Sequence, residues 1–514
     1  MLLSLGIRDC VNNPKPIPDM ICVSIARTRH KMMVAEHQAL AQRGAELVEF
    51  RLDYLARGAE LKRLLTDRPT PAILTCRRPA DGGRWSGAED ERLMLLRAAI
   101  VTGADYVDLE RDVAPKIRRY GKTKRIVSHH DFAQTPDDLE DIYAEMLKLD
   151  ADVIKIVTMA NSPADCIRLL KLVKDAKQPT IAFCMGEFGV TSRLLCGRYG
   201  APFTYATFSS EREIAPGQLS FDEMHSLYRY ERIGPQTKVF GVLGDPIGHS
   251  LSPLLHNKAM QQMGIDGVYL PFRVQADQFA ATLDAFQWLD VQGYSVTIPH
   301  KEAALAKYPQ CDETVQQIGA ANTIYRDDDN GWRTANTDLL AALDSLKSGL
   351  NDTANGSFEG QRVLMLGAGG AARAIAWGLV RQGAVVVITS RTAERSRRLA
   401  TELGCRSVTW ENRGSEDWDI LVNCTPVGMS PNLDQSPFQD NWLREEALVF
   451  DTIYNPEQTL LIKQARDRGC RTVTGIEMFV RQAAEQFRLF TGQEAPLDFL
   501  RETLRTGISV VRRN

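Results

Sequence analysis

The chain has 514 residues, more than one hydrophobic core usually supports, so two or three domains are expected. Charged residues make up 25% and the net charge is −3 with no run of five like charges, which argues against nucleic acid or an anionic membrane surface and leaves small molecules as ligands. Ten cysteines stand singly without a CxxC pair and no apolar run is long enough to span a bilayer, so the expectation is a cytoplasmic protein with free thiols and no metal site. In chain order, residues 1–6 lack the length and cationic start of a secretory signal, and residues 12–19, with three prolines, read as a poorly ordered lead-in.

Eight short β-branched runs follow, at 21–26, 47–54, 71–77, 106–110, 125–132, 153–159, 180–185 and 203–208. Helical stretches such as 89–102 and 136–149 separate them, and this alternation is the βαβ signature of a parallel sheet. Eight such units predict an α/β fold that begins with a closed (β/α)8 barrel over residues 20–232, with its chemistry at the C-terminal ends of the strands. On the second strand Glu49, Arg51 and Asp53 share one face by the period-two rule, an odd load of charge for a strand covered on both sides. Either they form a structural ion-pair network or they line a polar pocket. Arg77 and Arg193 place cations near the same rim, which suits a carboxylate-bearing substrate.

Lys155 lies within Val153-Ile154-Lys155-Ile156-Val157, where poor access to water favours the neutral, nucleophilic amine and hence Schiff-base chemistry on a ketone. The alternative is a lysine that snorkels to the barrel end or pairs with an acid. His130 ends the fifth strand on the face opposite His129, placed to remove the proton that an imine makes acidic and return it to a leaving group.

Together with Glu49-Phe50-Arg51-Leu52-Asp53, Thr75-Cys76-Arg77, Ser128-His129-His130-Asp131-Phe132, the 185–193 stretch and Ala215-Pro216-Gly217-Gln218, these residues give the first half a close resemblance to type I 3-dehydroquinate dehydratases. The resemblance implies that Lys155 forms an imine with the C3 ketone and that His130 serves as base and then acid. It further implies that Arg193 holds the substrate carboxylate and that Glu49, Arg51, Arg77 and Gln218 position hydroxyls and the reacting centre. Ile214 departs from the family, standing where many relatives carry a hydroxyl residue, so the closing loop is expected to grip substrate differently.

After a linker at 233–237 a new pattern begins, expected to form one domain over 238–340 with C-terminal helices in 476–514 packing back on it, and a second over 341–475. Ser252 reads as an N-cap with Pro253 at the first helical position, which leaves Ser250 unused. By propensity alone Lys301 is a surface lysine and Asp338 another cap. A strand at 361–366 runs into Gly367-Ala368-Gly369-Gly370-Ala371-Ala372 and then a helical stretch at 373–381, the flanks a Rossmann dinucleotide fingerprint needs. The strand 384–389 ends in Ser390-Arg391-Thr392 with Arg395 close behind and no acid, which favours NADP over NAD.

This half resembles shikimate dehydrogenases through Ser250-Leu251-Ser252-Pro253, Val296-Thr297-Ile298-Pro299-His300-Lys301, Gly319-Ala320-Ala321-Asn322-Thr323, Asn336-Thr337-Asp338, the glycine motif, Ser390-Arg391-Thr392, the 423–429 stretch, Tyr454-Asn455-Pro456 and Gln482. The resemblance implies that Ser250, Ser252, Thr297, Asn322, Asp338, Tyr454 and Gln482 bind substrate and that Lys301 and Asp338 form the catalytic pair. It places Gly367, Ala368, Gly369, Gly370, Ala371, Ser390, Arg391, Thr392, Arg395, Thr425 and Met429 on the cofactor. Ala341 and Ser390 depart from the family's usual glycine and asparagine, which touches packing and cofactor affinity only.

The whole chain therefore resembles a bifunctional dehydroquinate dehydratase and shikimate dehydrogenase, with 3-dehydroshikimate as the shared metabolite; covalent fusion raises local transfer but does not by itself demonstrate channelling. Three rivals are weighed against this. A metabolite sensor need not keep Lys155, His130, Lys301 and Asp338 together, a quinate dehydrogenase using NAD is disfavoured by Ser250, Ser252 and Arg391, and a Schiff-base aldolase lacks the Glu49–Asp53 constellation.

Overall fold

A computed structural model describes residues 20–350, 356–429 and 431–511; the expected lead-in at 12–19 and the first six residues lie outside them. The chain changes over from one compact unit to the next between Pro235 and Gln236.

The first unit is built on eight parallel strands: β1 (Met20–Ile25), β2 (Leu47–Arg51), β3 (Ala72–Thr75), β4 (Tyr106–Glu110), β5 (Lys124–Asp131), β6 (Val153–Met159), β7 (Thr180–Met185) and β8 (Phe203–Thr207). Their order, β7-β6-β5-β4-β3-β2-β1-β8, is that of a barrel. It is nearly rather than fully closed: among the described residues no ladder joins β7 to β8. The seam is instead filled by the rings of Phe183 and Tyr205, 6.2 Å apart, and tied beyond the strand ends by a hydrogen bond from Gly186 N to Pro216 O at 2.9 Å.

Several expected elements are shorter than the pattern implied, among them the third strand, which spans Ala72–Thr75 rather than 71–77. The second strand stops at Arg51, and Asp53 sits in the 3-10 turn Leu52–Tyr54, where the chain bends so that its carboxylate takes the Arg51 guanidinium bidentately at 2.8 and 3.0 Å. The helix expected over 136–149 spans Leu139–Met146, because the Pro136 carbonyl accepts from Arg168 and the residues after Met146 tighten into a 3-10 turn.

The second unit holds two sheets. The first comprises β9 (Lys238–Gly244), β10 (Gly267–Arg273), β11 (Val291–Val296), β12 (Thr323–Arg326) and β13 (Trp332–Ala335), ordered β10-β9-β11-β12-β13, with the last two pairings antiparallel. Onto it pack the C-terminal helices Gly475–Thr491 and Leu497–Val511. Ile476, Val480, Phe487, Leu500 and Leu504 from these helices meet Phe240, Val242 and Tyr269 in one cluster. Each such side chain contributes roughly 1.5–3 kcal/mol when fully buried, which holds the chain's end against its middle.

The other sheet comprises β14 (Arg362–Leu366), β15 (Val385–Thr389), β16 (Arg406–Ser407), β17 (Ile420–Asn423), β18 (Leu448–Asp451) and β19 (Arg471–Val473), all parallel and ordered β16-β15-β14-β17-β18-β19. The order reverses beside β14, so a crevice opens where the loops after β14 and β17 diverge. The boundary expected at 340/341 falls inside the helix Thr337–Leu350, whose stripe of Leu339, Leu343, Leu346 and Leu350 joins the core of this sheet.

Candidate active sites

At the C-terminal ends of the barrel strands one cavity is lined by Glu49, Arg51, Arg77, His130, Lys155, Arg193 and Gln218, the seven barrel residues to which the resemblance gives a role, whereas Asp53 pairs with Arg51 and does not line it. Strand register explains part of this. Ser24 lies beside Glu49 and Ser128 beside Lys155, so polar side chains from neighbouring strands occupy one inner layer. Glu49 is 3% exposed, and its two oxygens accept from Ser24 Oγ and Thr75 Oγ1, each at 2.7 Å.

Lys155 does not sit in the purely apolar surroundings its sequence neighbours imply. Its Nζ donates to Asp108 Oδ2 at 3.1 Å and lies 4.1 Å from the centre of the Tyr205 ring. Arg77 Nη2 is 2.8 Å from the same Asp108 oxygen, and Ser128 Oγ donates to the other at 2.6 Å. Burial alone would raise the Asp108 carboxyl, but Arg77 and Lys155 outweigh it and hold the group well below the ordinary carboxylate range. Arg77 also donates to Glu110 at 3.2 Å, and Glu110 is gripped from behind by the fully buried Arg92 at 3.0 Å.

Of the two adjacent histidines, His130 lines the cavity and His129 does not. Burial, reinforced by the positive charges of Arg77 and Lys155, pushes the His130 imidazole well below its usual value of 6.5, and its Nδ1 is buried without a hydrogen-bond partner. At neutral pH this ring is therefore a neutral base. Arg193, in the helix Val190–Leu195, is 1% exposed and lies over the Phe183 ring at 4.4 Å. Ile214 also lines the cavity, and its backbone N–H donates to Gln218 Oε1 at 3.2 Å, which ties the loop after β8 across its own base.

Sequence reasoning missed Asp108 and Glu110. The signal was present: in Tyr106-Val107-Asp108-Leu109-Glu110 two acids alternate along a short buried strand, the pattern that had marked Glu49 and Arg51.

In the second unit a larger cavity of about 580 Å³ runs along the glycine-rich turn. It takes in Gly367, Ala368, Gly369, Gly370, Ser390, Arg391, Thr392, Arg395 and Thr425, together with Lys301. Ala371 and Met429 are not among its lining residues, whereas Arg373, Arg398, Ile298 and Pro299 are. Gly367 has φ +113°, and a Cβ there would stand 2.9 Å from the Cys424 carbonyl, so the turn needs glycine for both conformation and space. At Gly370 a Cβ would meet the Lys301 stem at 3.0 Å, so the absence of a side chain lets that lysine cross the start of the helix Gly370–Arg381. Arg391 and Arg395 are exposed and form no ion pair among the described residues. With no acid at the end of β15, the cavity offers backbone N–H groups to a pyrophosphate and free guanidinium groups to a further phosphate.

Beside this cavity Lys301 Nζ donates to Asp338 Oδ2 at 2.5 Å. Neither residue serves the bland role propensity allowed. The side chain that caps the helix Thr337–Leu350 is Asn336, whose Oδ1 accepts from Leu339 N at 3.3 Å, and Lys301 is only 15% exposed. Ser252 likewise does not cap: the helix Ser252–Met263 has Leu251 at that position and no side-chain cap bond. Its N–H instead donates to Ser250 Oγ at 3.3 Å, and the Tyr454 hydroxyl reaches the Leu251 backbone between the two serines. Tyr454 stacks on Phe479 at 3.9 Å, one turn before Gln482, whose Nε2 donates to the Phe479 carbonyl. Asn322 binds inward, its amide exchanging hydrogen bonds with Thr337 at 2.8 and 2.9 Å next to Asp338, and Thr297 follows β11 with its N–H on Leu243 O. Two groups emerge: Lys301 and Asp338 with Asn322 beside them, and, by way of Leu251 and Phe479, Ser250, Ser252, Tyr454 and Gln482.

Comparison with known proteins gives four family matches in chain order. These are type I 3-dehydroquinase over residues 21–235, the shikimate dehydrogenase substrate binding domain over 242–324, shikimate / quinate 5-dehydrogenase over 350–427, and the shikimate 5'-dehydrogenase C-terminal domain over 475–505. The chain is 38% identical over 517 residues to the chloroplastic bifunctional 3-dehydroquinate dehydratase/shikimate dehydrogenase of Arabidopsis thaliana, covering 96% of this chain and 85% of that protein. It is 39% identical over 280 residues to the shikimate dehydrogenase (NADP(+)) of Methanothermobacter thermautotrophicus, covering 52% of this chain and 96% of the relative. A solved structure of shikimate 5-dehydrogenase from Thermus thermophilus, in complex with NADP(H) and shikimate, aligns with 34% identity and a TM-score of 0.47 over 52% of this chain and 99% of that one.

Proposed function

The chain belongs to the bifunctional 3-dehydroquinate dehydratase/shikimate dehydrogenase family, and on that premise we propose that its barrel cavity and its glycine-lined cavity are the two reaction centres. It is both a lyase and an NADP-dependent oxidoreductase of the shikimate pathway, converting 3-dehydroquinate to 3-dehydroshikimate and reducing that product to shikimate.

The observation that carries the first assignment is the amine of Lys155 set against Asp108 in the same cavity as a neutral His130. Lys155 adds to the C3 carbonyl and loses water to give an imine. The proton that Lys155 gives up before it adds has one ready acceptor, because Asp108 is too weak a base and His130 is uncharged; His130 passes it to the carbinolamine hydroxyl, which leaves as water, so the iminium forms with His130 neutral again. The iminium makes the C2 proton acidic; His130 removes it, then returns it to the C1 hydroxyl as that group leaves as water. Hydrolysis frees Lys155. Arg193 holds the carboxylate, and Glu49, Arg51, Arg77 and Gln218 orient the ring hydroxyls.

In the second centre Gly367 to Gly370 and the N-terminus of the helix Gly370–Arg381 would hold the pyrophosphate of NADP, with Ser390, Arg391, Thr392 and Arg395 around the 2′-phosphate. Bound there, the reduced cofactor supplies a hydride to the C3 carbonyl of 3-dehydroshikimate. The Lys301–Asp338 pair stabilises the negative charge that grows on the carbonyl oxygen and delivers its proton. Ser250, Ser252, Thr297, Asn322, Tyr454 and Gln482 bind the carboxylate and hydroxyls.

The proposed division is a dehydratase over 20–232, a substrate-binding domain over 238–340 completed by 476–514, and a cofactor domain over 341–475, with the helix Thr337–Leu350 running across the boundary between the last two. None of the helices described is long and apolar enough to cross a membrane, and the nine described cysteines are free. We propose a reducing, cytoplasmic setting, which cell fractionation tests. The function itself is tested by supplying 3-dehydroquinate with NADPH and following enone absorbance and cofactor oxidation together. Both signals are expected, with little NADH use and little oxidation of quinate; enone without NADPH loss would refute the second centre, and neither signal would refute both.

A further inference from the structure

A buried chain of hydrogen bonds runs from Tyr269 to Thr337, the residue before Asp338. The Tyr269 phenol, on which Ser252 acts from one side, donates from Oη to Ser295 Oγ at 2.6 Å. Ser295 Oγ donates in turn to Gln486 Oε1 at 2.6 Å. Gln486 Nε2 then donates to both Asn322 O and Thr323 Oγ1 at 3.1 Å. Thr323 Oγ1 donates to Asn322 Oδ1 at 2.8 Å, and the same oxygen accepts the N–H of Thr337, the residue before Asp338. The donors run consistently inward to Gln486 Oε1 from one side and outward from its Nε2 on the other.

Topology puts Gln486 at the middle. Ser295 on β11 and Thr323 on β12 are direct cross-strand partners, and Gln486 projects from the C-terminal helix one turn beyond Gln482, which places both glutamines on one helix face. Tyr269 is fully buried and Gln486 is 1% exposed, among Phe240, Phe487, Phe490 and the buried ring of His256, which stacks on Tyr269 at 4.2 Å. Polar groups so deep cost stability unless every partner is in place, and a fully satisfied network fixes the separation of the groups at its ends.

Resting on the shikimate dehydrogenase reading above, we infer that Gln486 is a positioning residue for the reduction. Through Ser295 and Tyr269 it sets Ser252, and through Thr323 and Asn322 it sets the helix start that presents Asp338 to Lys301. It touches neither substrate nor cofactor. The final helices of the chain thus supply an alignment element as well as packing.

The test is a double-mutant cycle in the full chain with Gln486→Met, which keeps the volume and removes the hydrogen bonds, and Tyr269→Phe. Gln486→Met should lower kcat/KM for 3-dehydroshikimate about 10- to 100-fold, mostly in kcat, and Tyr269→Phe should raise KM several-fold. In the double variant the loss should be clearly smaller than the product of the single losses, while NADPH affinity stays within about twofold of wild type. A purely structural role would lower Tm and leave kcat and KM of the folded enzyme alone. That result, or effects that simply multiply, would overturn the inference. If Gln486→Met does not fold, Ser295→Ala replaces it in the cycle with the same two outcomes. Wild-type turnover is the control for the underlying reading: its absence defeats the dehydrogenase assignment, whereas normal turnover with independent effects defeats only the role of Gln486.

Discussion

The two cavities hold their charges in opposite ways. In the barrel, Arg77 and Lys155 project from or beside strands and are locked into Asp108 and Glu110, with Arg92 bracing Glu110 from behind; these groups are at most 6% exposed. Around the glycine-rich turn, Arg391 and Arg395 stand exposed on a loop and a helix start, without ion pairs among the described residues. The first arrangement suits covalent chemistry on a small substrate, where the amine, base and anchors must already be in place when the ketone arrives. The second suits a large anionic cofactor that must enter and leave in every cycle, and for which the guanidinium groups must stay available. Preorganisation through buried ion pairs and availability through exposure are two solutions to handling anions within one chain.

The comparison breaks most sharply if the sites are not independent. Lys155→Ala should abolish dehydration while leaving reduction of added 3-dehydroshikimate unchanged, and Lys301→Ala should lower reduction by about 10²- to 10⁴-fold with dehydration intact. Assaying both activities on each variant checks this; loss of both in either one would join what the structure separates.

Next in size is Asp108→Asn. Removing one partner of a buried ion cluster leaves Arg77 and Lys155 poorly compensated, so the barrel should lose about 3–5 kcal/mol by denaturant titration as well as dehydratase activity. An Arg391→Ala change in the open cavity should instead leave stability within about 0.5 kcal/mol and raise the KM for NADPH roughly tenfold, with little change for NADH. Equal destabilisation by the two variants would erase the contrast.

A subtler expectation concerns pH. His130 is held below its ordinary 6.5, so it stays neutral as pH falls through that value. The acid limb of the dehydration profile should therefore lie below pH 6.5, and a limb centred at 6.5 or above would show that burial and the neighbouring cations do not act on the base. Smallest of all, Ile214→Ser should change the KM for 3-dehydroquinate only about two- to threefold, because the contact that ties this loop to Gln218 comes from the backbone of residue 214 rather than its side chain.

Much of this was legible because strands and helices impose their periods on the sequence. All eight barrel strands and the β14–turn–helix fingerprint stand where alternation and glycine spacing put them, and the seven barrel residues given a role in advance face one cavity. What escaped depends on partners far away in the chain. Lys155 and Asp108 are 47 positions apart and Ser295 and Gln486 are 191, so nothing local announces either pair. Ser252 looked like a helix cap because serine before proline is a strong local signal; in the fold its neighbours are Ser250 and Tyr269 instead. The unpaired seam between β7 and β8 also had no sequence mark, since Phe183 and Tyr205 read simply as good strand residues.

The central claim is that Lys155 becomes covalently bound to substrate. Borohydride added to the intact protein with 3-dehydroquinate, followed by digestion and mass spectrometry, tests it directly. The account predicts a reduced adduct on the peptide containing Lys155, lost in Lys155→Ala; an unmodified Lys155 in an actively dehydrating enzyme would contradict it.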